Sequence, residues 1–182
     1  YALTTGSDGS IYISGATYGD FDGQTNNGGW DAFISKFNPD GTKEWTKISG
    51  TILDEGTNTA TTGSDGSIYI VGSTTGDLDG QTNNGVRDAF ISKYNVDGTK
   101  EWTTLSGSSS RDNAYASTTG SDGSIYIAGE TYGDLDGQTN SGGGDVFISK
   151  FNSDNGSKEW TELYNASPGD PAFAWGLTTG SD

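Results

Sequence analysis

A ten-residue stretch, Thr4–Ile13 (TTGSDGSIYI), recurs without any change at Thr61–Ile70 and at Thr118–Ile127. Its first five residues occur a fourth time at Thr178–Asp182. The starting points are separated by 57, 57 and 60 residues. A fixed period of this length is typical of repeat architectures, in which each repeat is one supersecondary unit that stacks on the next.

The repeats divide the chain into a single repeat domain over 1–182. Its units run approximately over 1–57, 58–114 and 115–174, and 175–182 is predicted to be the first strand of a further unit. The chain opens inside a repeat and has no Met, which indicates a piece excised from a longer polypeptide.

Composition alone would predict disorder, since Leu, Ile, Val and Phe number only 29 of 182 residues and the net charge is −16. The apolar residues nevertheless recur at matching positions of each repeat, together with 21 aromatic residues. Stacked repeats bury a shared core that no single unit has. The acidic balance argues against nucleic acid as a partner. No apolar run is long enough to predict insertion into a membrane.

Each repeat is predicted to form four short strands, of which the second and third alternate in hydrophobicity. In the third strands, at 31–37, 88–94 and 145–151, apolar residues lie on both faces. Asp-Gly pairs mark tight turns between strands one and two and between strands three and four. The longer loops, such as 16–30 and 50–58, are then expected at the opposite end of the sheet, which we call the long-loop face.

A sheet with two apolar faces must be covered on both sides, as a propeller blade is. We therefore predict an all-β fold, a β-propeller of four-stranded antiparallel blades, with a β-trefoil as the alternative. Three repeats plus one strand are too few to close a ring. The prediction is a propeller fragment, or a propeller completed by an oligomer, that self-associates through its open blade ends.

The recurring motifs resemble the bacterial β-propeller repeat called SBBP. They are S-D-G-x-I-Y, then G-D-[FL]-D-G-Q-T-N with a later D-[AV]-F-[IV]-x-K, then D-G-T-K-x-W in the first two repeats. The resemblance covers essentially the whole chain and implies four-stranded blades in a bacterial protein that is extracellular or attached to the cell surface. It implies no activity, because a fold does not specify a function.

The repeated acidic loop is the candidate cation site. Calcium prefers several hard oxygen ligands, and a glycine allows a loop to wrap the ion. Each loop has two aspartates flanking one residue, then a glycine, a glutamine and an asparagine, with a third aspartate eleven residues after the first. These candidate Ca²⁺ ligands are Asp20, Asp22, Asp31, Asp77, Asp79, Asp88, Asp134, Asp136 and Asp145. The alternative is that they hydrogen-bond local backbone amides in turns, and that the protein has no cofactor.

Other candidates for ligand binding are residues of the long-loop face that differ between repeats: Trp30, Arg87, Tyr18 and Tyr132. The tryptophans that recur in every fourth strand (Trp45, Trp102 and Trp160) are instead predicted to pack between blades. Without His or Cys, nucleophilic catalysis lacks its usual base. We predict a non-catalytic, extracellular scaffold or interaction module that presents variable loops on one face, for a protein or glycan ligand. The alternative is a carbohydrate-binding lectin, with or without help from calcium.

Overall fold

The chain forms three antiparallel sheets of four strands each, and no helix, in the residues that the structure describes. This structure is a computed structural model, and it describes residues 1–164, 167 and 169–180. The strands are β1 (Ala2–Thr5), β2 (Ile11–Thr17), β3 (Asp31–Phe37), β4 (Lys43–Ser49), β5 (Glu55–Thr62), β6 (Ile68–Thr74), β7 (Asp88–Tyr94), β8 (Lys100–Ser106), β9 (Asp112–Thr119), β10 (Ile125–Thr131), β11 (Asp145–Phe151) and β12 (Lys158–Tyr164).

Each sheet is a simple meander of consecutive strands, β1–β4, β5–β8 and β9–β12, which we call blades 1, 2 and 3. One sheet per repeat confirms the predicted propeller blades, and the β-trefoil alternative is wrong. The predicted third strands are observed without any change of boundary. The first strand of each blade (β1, β5 and β9) contacts the first strand of the neighbouring blade, and we call these three the inner strands. The inner strands β5 and β9 begin earlier than predicted, at Glu55 and Asp112. The predicted repeat boundaries at 57/58 and 114/115 therefore lie inside strands.

The apolar core lies between the blades. Ile68, Ile70 and Phe90 of blade 2 pack on Tyr12 and Ile34 of blade 1. The equivalent residues of blade 3 pack on the other face of blade 2: Ile125, Ile127 and Phe147 lie against Tyr69 and Ile91. All residues of β6 and β7 are buried as a result. Both faces of these strands carry apolar residues because each face is covered by a neighbouring blade.

The recurring tryptophans pack between blades, as predicted, wherever a following blade is present. Trp45 packs against the core between blades 1 and 2, and its indole N–H donates to the Val96 carbonyl at 3.2 Å. Trp102 packs in the same way between blades 2 and 3. Trp160 is 39% exposed, because it belongs to the free face of blade 3.

The inner strands of successive blades are joined by a repeated hydrogen bond. The Thr62 hydroxyl donates to the Thr5 carbonyl at 3.3 Å, and that of Thr119 to the Thr62 carbonyl at 2.9 Å. The Thr179 hydroxyl donates to the Thr119 carbonyl at 3.1 Å in the same way. Residues 175–180 are not assigned to a strand, yet Thr179 is equivalent to Thr62 and Thr119, the last residues of β5 and β9, and makes the same contact with the preceding blade. The remainder of the predicted strand, residues 181 and 182, lies outside the described residues.

The turn chemistry differs from the prediction. In the turn between β1 and β2, Gly9 alone has a positive φ (83°), and the Asp8 carboxylate accepts the Ser10 amide at 2.9 Å. The two-residue turn with positive φ at both positions occurs in the long loop instead, at Asp22 (55°) and Gly23 (73°). Phe21 and Gln24 exchange two backbone hydrogen bonds of 3.0 Å across it. This geometry is that of a type I′ hairpin, which favours Asp-Gly.

In the described part of the chain, no helix is long and apolar enough to cross a membrane.

Candidate functional site

A cavity of about 520 Å³ opens on the long-loop face where β5 and β9 begin, and Ala16 and Trp30 of blade 1 also line it. Its size lies within the usual range of small-molecule sites. The residues that line it are Ala16, Trp30, Asp54, Glu55, Gly56, Asn58, Ser73, Arg87, Arg111, Asn113, Tyr115 and Glu130.

The lining residues occupy the positions at which the repeats differ. Ala16, Ser73 and Glu130 are equivalent to one another in the three repeats, and Trp30 is equivalent to Arg87. The same holds for the other lining pairs: Asp54 with Arg111, Gly56 with Asn113, and Asn58 with Tyr115. No lining residue comes from a position that is identical in all three repeats. The repeats thus share their framework and vary their cavity, as expected where ligands are bound.

Backbone hydrogen bonds between neighbouring blades hold the variable residues Trp30 and Arg87 at the cavity. The Glu55 amide donates to the Trp30 carbonyl at 2.5 Å, and the Asp112 amide to the Arg87 carbonyl at 2.8 Å. Each third strand is thereby tied to the start of the next inner strand. Two of the predicted ligand-binding residues, Trp30 and Arg87, consequently line the same cavity.

The other two predicted residues support the cavity from outside its lining. The Tyr18 ring meets Trp30 edge to face, with 5.5 Å between ring centroids. The Arg111 guanidinium lies over the Tyr132 ring, 4.7 Å from its centroid. The structure therefore places all four predicted residues in or beside one site, two as lining and two as aromatic braces.

A buried polar group forms one wall of the cavity. The Glu130 carboxylate is 2% exposed, and its Oε1 atom accepts hydrogen bonds from Asn113 Nδ2 at 2.8 Å and from the Tyr115 hydroxyl at 2.5 Å. Burial and this contact with Glu130 raise the pKa of Tyr115 above its ordinary value. Glu130 Oε2 is buried and has no hydrogen-bond partner within the described residues. An unpaired buried oxygen is costly, so it is a natural position for a donor from a ligand.

Sequence reasoning missed Arg111, Asn113, Tyr115 and Glu130 as members of the site. The detectable signal was the comparison of equivalent positions, since Ala16, Ser73 and Glu130 differ more in chemistry than almost any other set. That comparison identifies variable positions, but only the stacking of blades shows that they converge.

The nine aspartates of the repeated loops do not converge on one point. Asp20, Asp77 and Asp134 each accept a backbone amide six residues later, at 2.8–2.9 Å. The second aspartate of each loop pairs with a lysine of the same blade: Asp22 with Lys43, Asp79 with Lys100 and Asp136 with Lys158.

The third aspartate of each loop is buried at the start of its strand and accepts the backbone amide four residues earlier, at 2.7–2.9 Å for Asp31, Asp88 and Asp145. Each aspartate thus has a structural role in its own loop. Within the described ranges, no group of three or more His, Cys, Asp or Glu side chains is arranged to hold a metal ion.

Comparison with known proteins adds the family context. A model described as a domain of unknown function, the DUF5122 beta-propeller, matches residues 6–44, which include β2 and β3. The chain is also similar to the regulatory protein FlaEY of Caulobacter vibrioides, with 30% identity over 167 residues, or 82% of this chain. The chain spans only 18% of the length of that relative. The chain is a β-propeller repeat protein.

Calcium is expected to leave the thermal stability of this β-propeller unchanged. The Lys43 contact with Asp22 lowers the pKa of that carboxyl, and a calcium ion would have to displace the lysine. The measurement is a thermal melt in millimolar calcium and in chelator, on the wild type and on the triple variant Asp22→Asn, Asp79→Asn, Asp136→Asn. Since ligands of the native state raise the midpoint, a calcium-dependent rise in the wild type alone would show that the loops bind calcium.

Asp112→Asn is expected to stabilise this β-propeller at neutral pH, by on the order of 1 kcal/mol. Burial raises the pKa of Asp112, against hydrogen bonds from Thr131 and Ser108 and the charge of Lys158, and it also raises the pKa of nearby Asp88. A carboxyl whose pKa is raised by folding does not affect stability below its ordinary pKa, because it is protonated in both the folded and the unfolded state. As the pH rises from the ordinary pKa to the raised one, the carboxyl increasingly destabilises the fold.

The gain from Asp112→Asn should therefore disappear as the pH is lowered towards 4, in urea unfolding curves recorded across the pH range. Asp97→Asn serves as the control, because hydrogen bonds from Thr99 lower the pKa of Asp97 and predict the opposite sign. Equal effects of the two variants at pH 7 would contradict the assignment of a disfavoured buried charge to Asp112.

Proposed function

We propose that this protein is a non-catalytic interaction module that receives its ligand in the cavity on the long-loop face. The observation that carries the proposal is the composition of the cavity wall, in which every lining residue comes from a position that varies between repeats. The residues that are identical in the three repeats form the strands and turns. The residues that vary between repeats supply aromatic, cationic, amide and acidic groups in one cavity.

Carbohydrate binding is the second candidate function, and two exposed tryptophans favour it. Trp30 is 45% exposed at the cavity, and Trp175 stacks on Tyr115 with 4.5 Å between ring centroids. Flat aromatic faces suit the apolar faces of sugar rings, while the amides and carboxylates beside them suit hydroxyl groups.

A non-catalytic role is proposed even though Asp54, Glu55 and Glu130 share the cavity. Glycosidases need one carboxyl as acid and another as base or nucleophile. Both Glu55 oxygens are held, by Thr51 and Thr74, and Asp54 Oδ1 accepts the Trp30 amide at 3.0 Å. Release of reducing sugar from any polysaccharide would contradict this part of the proposal.

The cell surface or the extracellular medium is the proposed location, and the SBBP-type repeats are the proposed family. Both rest on the quoted repeat motifs. Digestion of intact cells by an added protease, followed by detection with an antibody, tests the location. A signal lost only after cell lysis would contradict it.

A paired screen tests the binding function. Wild-type protein and the variant Trp30→Ala are applied to a glycan array and to a set of extracellular protein fractions. Trp160→Ala is the matched control, because Trp160 is comparably exposed but lies on the free face of blade 3. We expect a ligand whose binding is lost in Trp30→Ala and kept in Trp160→Ala. Binding that depends on neither tryptophan would place the ligand elsewhere.

Self-association is proposed as well, because the two end faces of the stack are complementary. The free face of blade 1 presents Ile11, Ile13 and Phe33, whose equivalents in blades 2 and 3 are buried between blades. The free face of blade 3 presents Ile148 and Trp160, which are equivalent to residues that receive the next blade. Two copies joined through both pairs of faces would form a closed ring of six blades.

A further inference from the structure

The two arginines of this chain, Arg87 and Arg111, lie side by side at the cavity. They form a parallel backbone bridge between neighbouring blades, and both line the cavity. A net charge of −16 makes carboxylates abundant. Six of the seven lysines form ion pairs with carboxylates: Lys36, Lys43, Lys93, Lys100, Lys150 and Lys158.

The two arginines do not form close ion pairs of this kind. In the part of the chain that the structure describes, Arg87 has no carboxylate within ion-pair distance, and Arg111 reaches only Glu130, at 3.9 Å. Guanidinium groups bind carboxylates with two parallel hydrogen bonds. Two adjacent arginines without such partners in an acidic protein therefore indicate a site for a carboxylate from outside.

Glu130, which lies beside Arg111 in the cavity wall, requires a hydrogen-bond donor. Glu130 is 2% exposed, and its Oε2 atom is the unpartnered buried oxygen described above. Its Oε1 atom is held in place by Asn113 and Tyr115, so the orientation of the carboxylate is fixed. A hydroxyl group of a ligand would supply the missing donor.

A third requirement comes from Trp30, which contacts Tyr18, lines the cavity and is nearly half exposed. Its flat apolar face calls for a ring with an apolar side. The residues that line the cavity are thus complementary to a ligand with a carboxylate, hydroxyl donors and a flat ring, in a volume of about 520 Å³.

We propose that the cavity binds a uronic-acid sugar, with its carboxylate on Arg87 and Arg111, a hydroxyl donating to Glu130, and the sugar ring against Trp30. This inference rests on the proposed function, since it names the ligand class of the same cavity. A neutral sugar would leave Arg87 without a carboxylate and Arg111 with only its 3.9 Å contact with Glu130. A carboxylate without hydroxyls would leave Glu130 Oε2 without a donor.

The test is a titration of the 18.9 kDa chain by NMR, following the tryptophan indole and arginine side-chain signals. The probes are glucuronate and galacturonate, their neutral counterparts glucose and galactose, and cyclohexanecarboxylate, which keeps a ring and a carboxylate but lacks hydroxyls. We expect a uronate to bind at least 10-fold more tightly than its neutral counterpart, in line with a charge-assisted hydrogen bond. Added salt should weaken uronate binding.

The variants separate the contributions. Arg87→Gln and Arg111→Gln should each lower the affinity for the uronate about 10-fold or more. Glu130→Gln should lower the affinity for the uronate relative to that for cyclohexanecarboxylate, which has no hydroxyl to donate to Glu130. Lys47→Gln removes the same charge from β4, outside the cavity, and should have no effect. Arg87→Lys keeps the charge and loses the planar fork, so an intermediate affinity is expected. Thermal melts of each variant identify any that fail to fold.

Two results would overturn the inference. Neutral sugars that bind as tightly as uronates, unaffected by the arginine variants, would leave a binding cavity without selection for acid. No change of the cavity signals with any of the five probes would remove sugars of this class. The proposed function fails independently, if the array and protein screen yields no ligand that depends on Trp30.

Discussion

Replacing Phe90 by alanine is expected to lower the free energy of unfolding by about 3–5 kcal/mol. Phe90 is 1% exposed in the core between blades 1 and 2, where it packs among Tyr12, Ile34 and Leu78. The loss combines the transfer free energy of the ring with the cavity left behind, which the surrounding sheets refill only in part. The measurement is urea unfolding of the wild type and the variant at equal protein concentration.

The repeats supply a matched control for this substitution. Phe33 occupies the same position in blade 1, has the same strand neighbours in sequence, and is only half-buried. Phe33→Ala should therefore cost less than half as much as Phe90→Ala at low protein concentration. Because neighbouring blades share their cores, the Phe90→Ala protein should still unfold in one cooperative step. Losses of equal size would show that burial between blades does not determine the stability.

Ile148→Asp is expected to reduce a self-associated wild-type protein to a monomer of 18.9 kDa. Ile148 is on the free face of blade 3 and is equivalent to Ile34 and Ile91, which are fully buried where another blade covers them. A carboxylate in that position would have to be desolvated without a partner when a second copy docks. Light scattering over a range of concentrations measures the mass, which should be twice 18.9 kDa in the wild type.

Two further proteins make the association experiment decisive. Ser64→Asp adds the same charge at an exposed turn of blade 2 and should leave the mass unchanged. Ile13→Asp alters the free face of blade 1 and should also give a monomer, because a closed pair uses both end faces twice. A wild-type protein that is monomeric at all concentrations would remove the proposal. Circular dichroism verifies that the monomeric variants keep their sheets.

The strands were predictable because their causes are local. The alternation of Ile with Tyr or Phe, and the glycine at the end of each tight turn, act over a few residues, and the three copies confirm one another. The third strands were therefore predicted to the residue, and the packing of Trp45 and Trp102 between blades was also predicted.

The early start of β5 shows where the sequence was insufficient. Residues 55–57 have no alternation of their own, and they become a strand because Glu55 donates to the Trp30 carbonyl and Gly56 and Thr57 pair with β6. The Asp-Gly pairs also show that the local sequence does not determine the turn type. The motif is present in both kinds of turn, but the number of residues between the hydrogen-bonded ends decides which one is a type I′ hairpin.

The sequence by itself determined the number of blades, the order of their strands and the two apolar faces of each sheet, because these follow from periods of two and of 57 residues. Only the tertiary structure decided where the variable residues meet. Arg87 and Glu130 are 43 positions apart and belong to different blades. They share a cavity because the start of β9 contacts both of them: the Asp112 amide donates to the Arg87 carbonyl, and Asn113 pairs with Glu130. No local rule of the chain encodes the docking of β9 on blade 2.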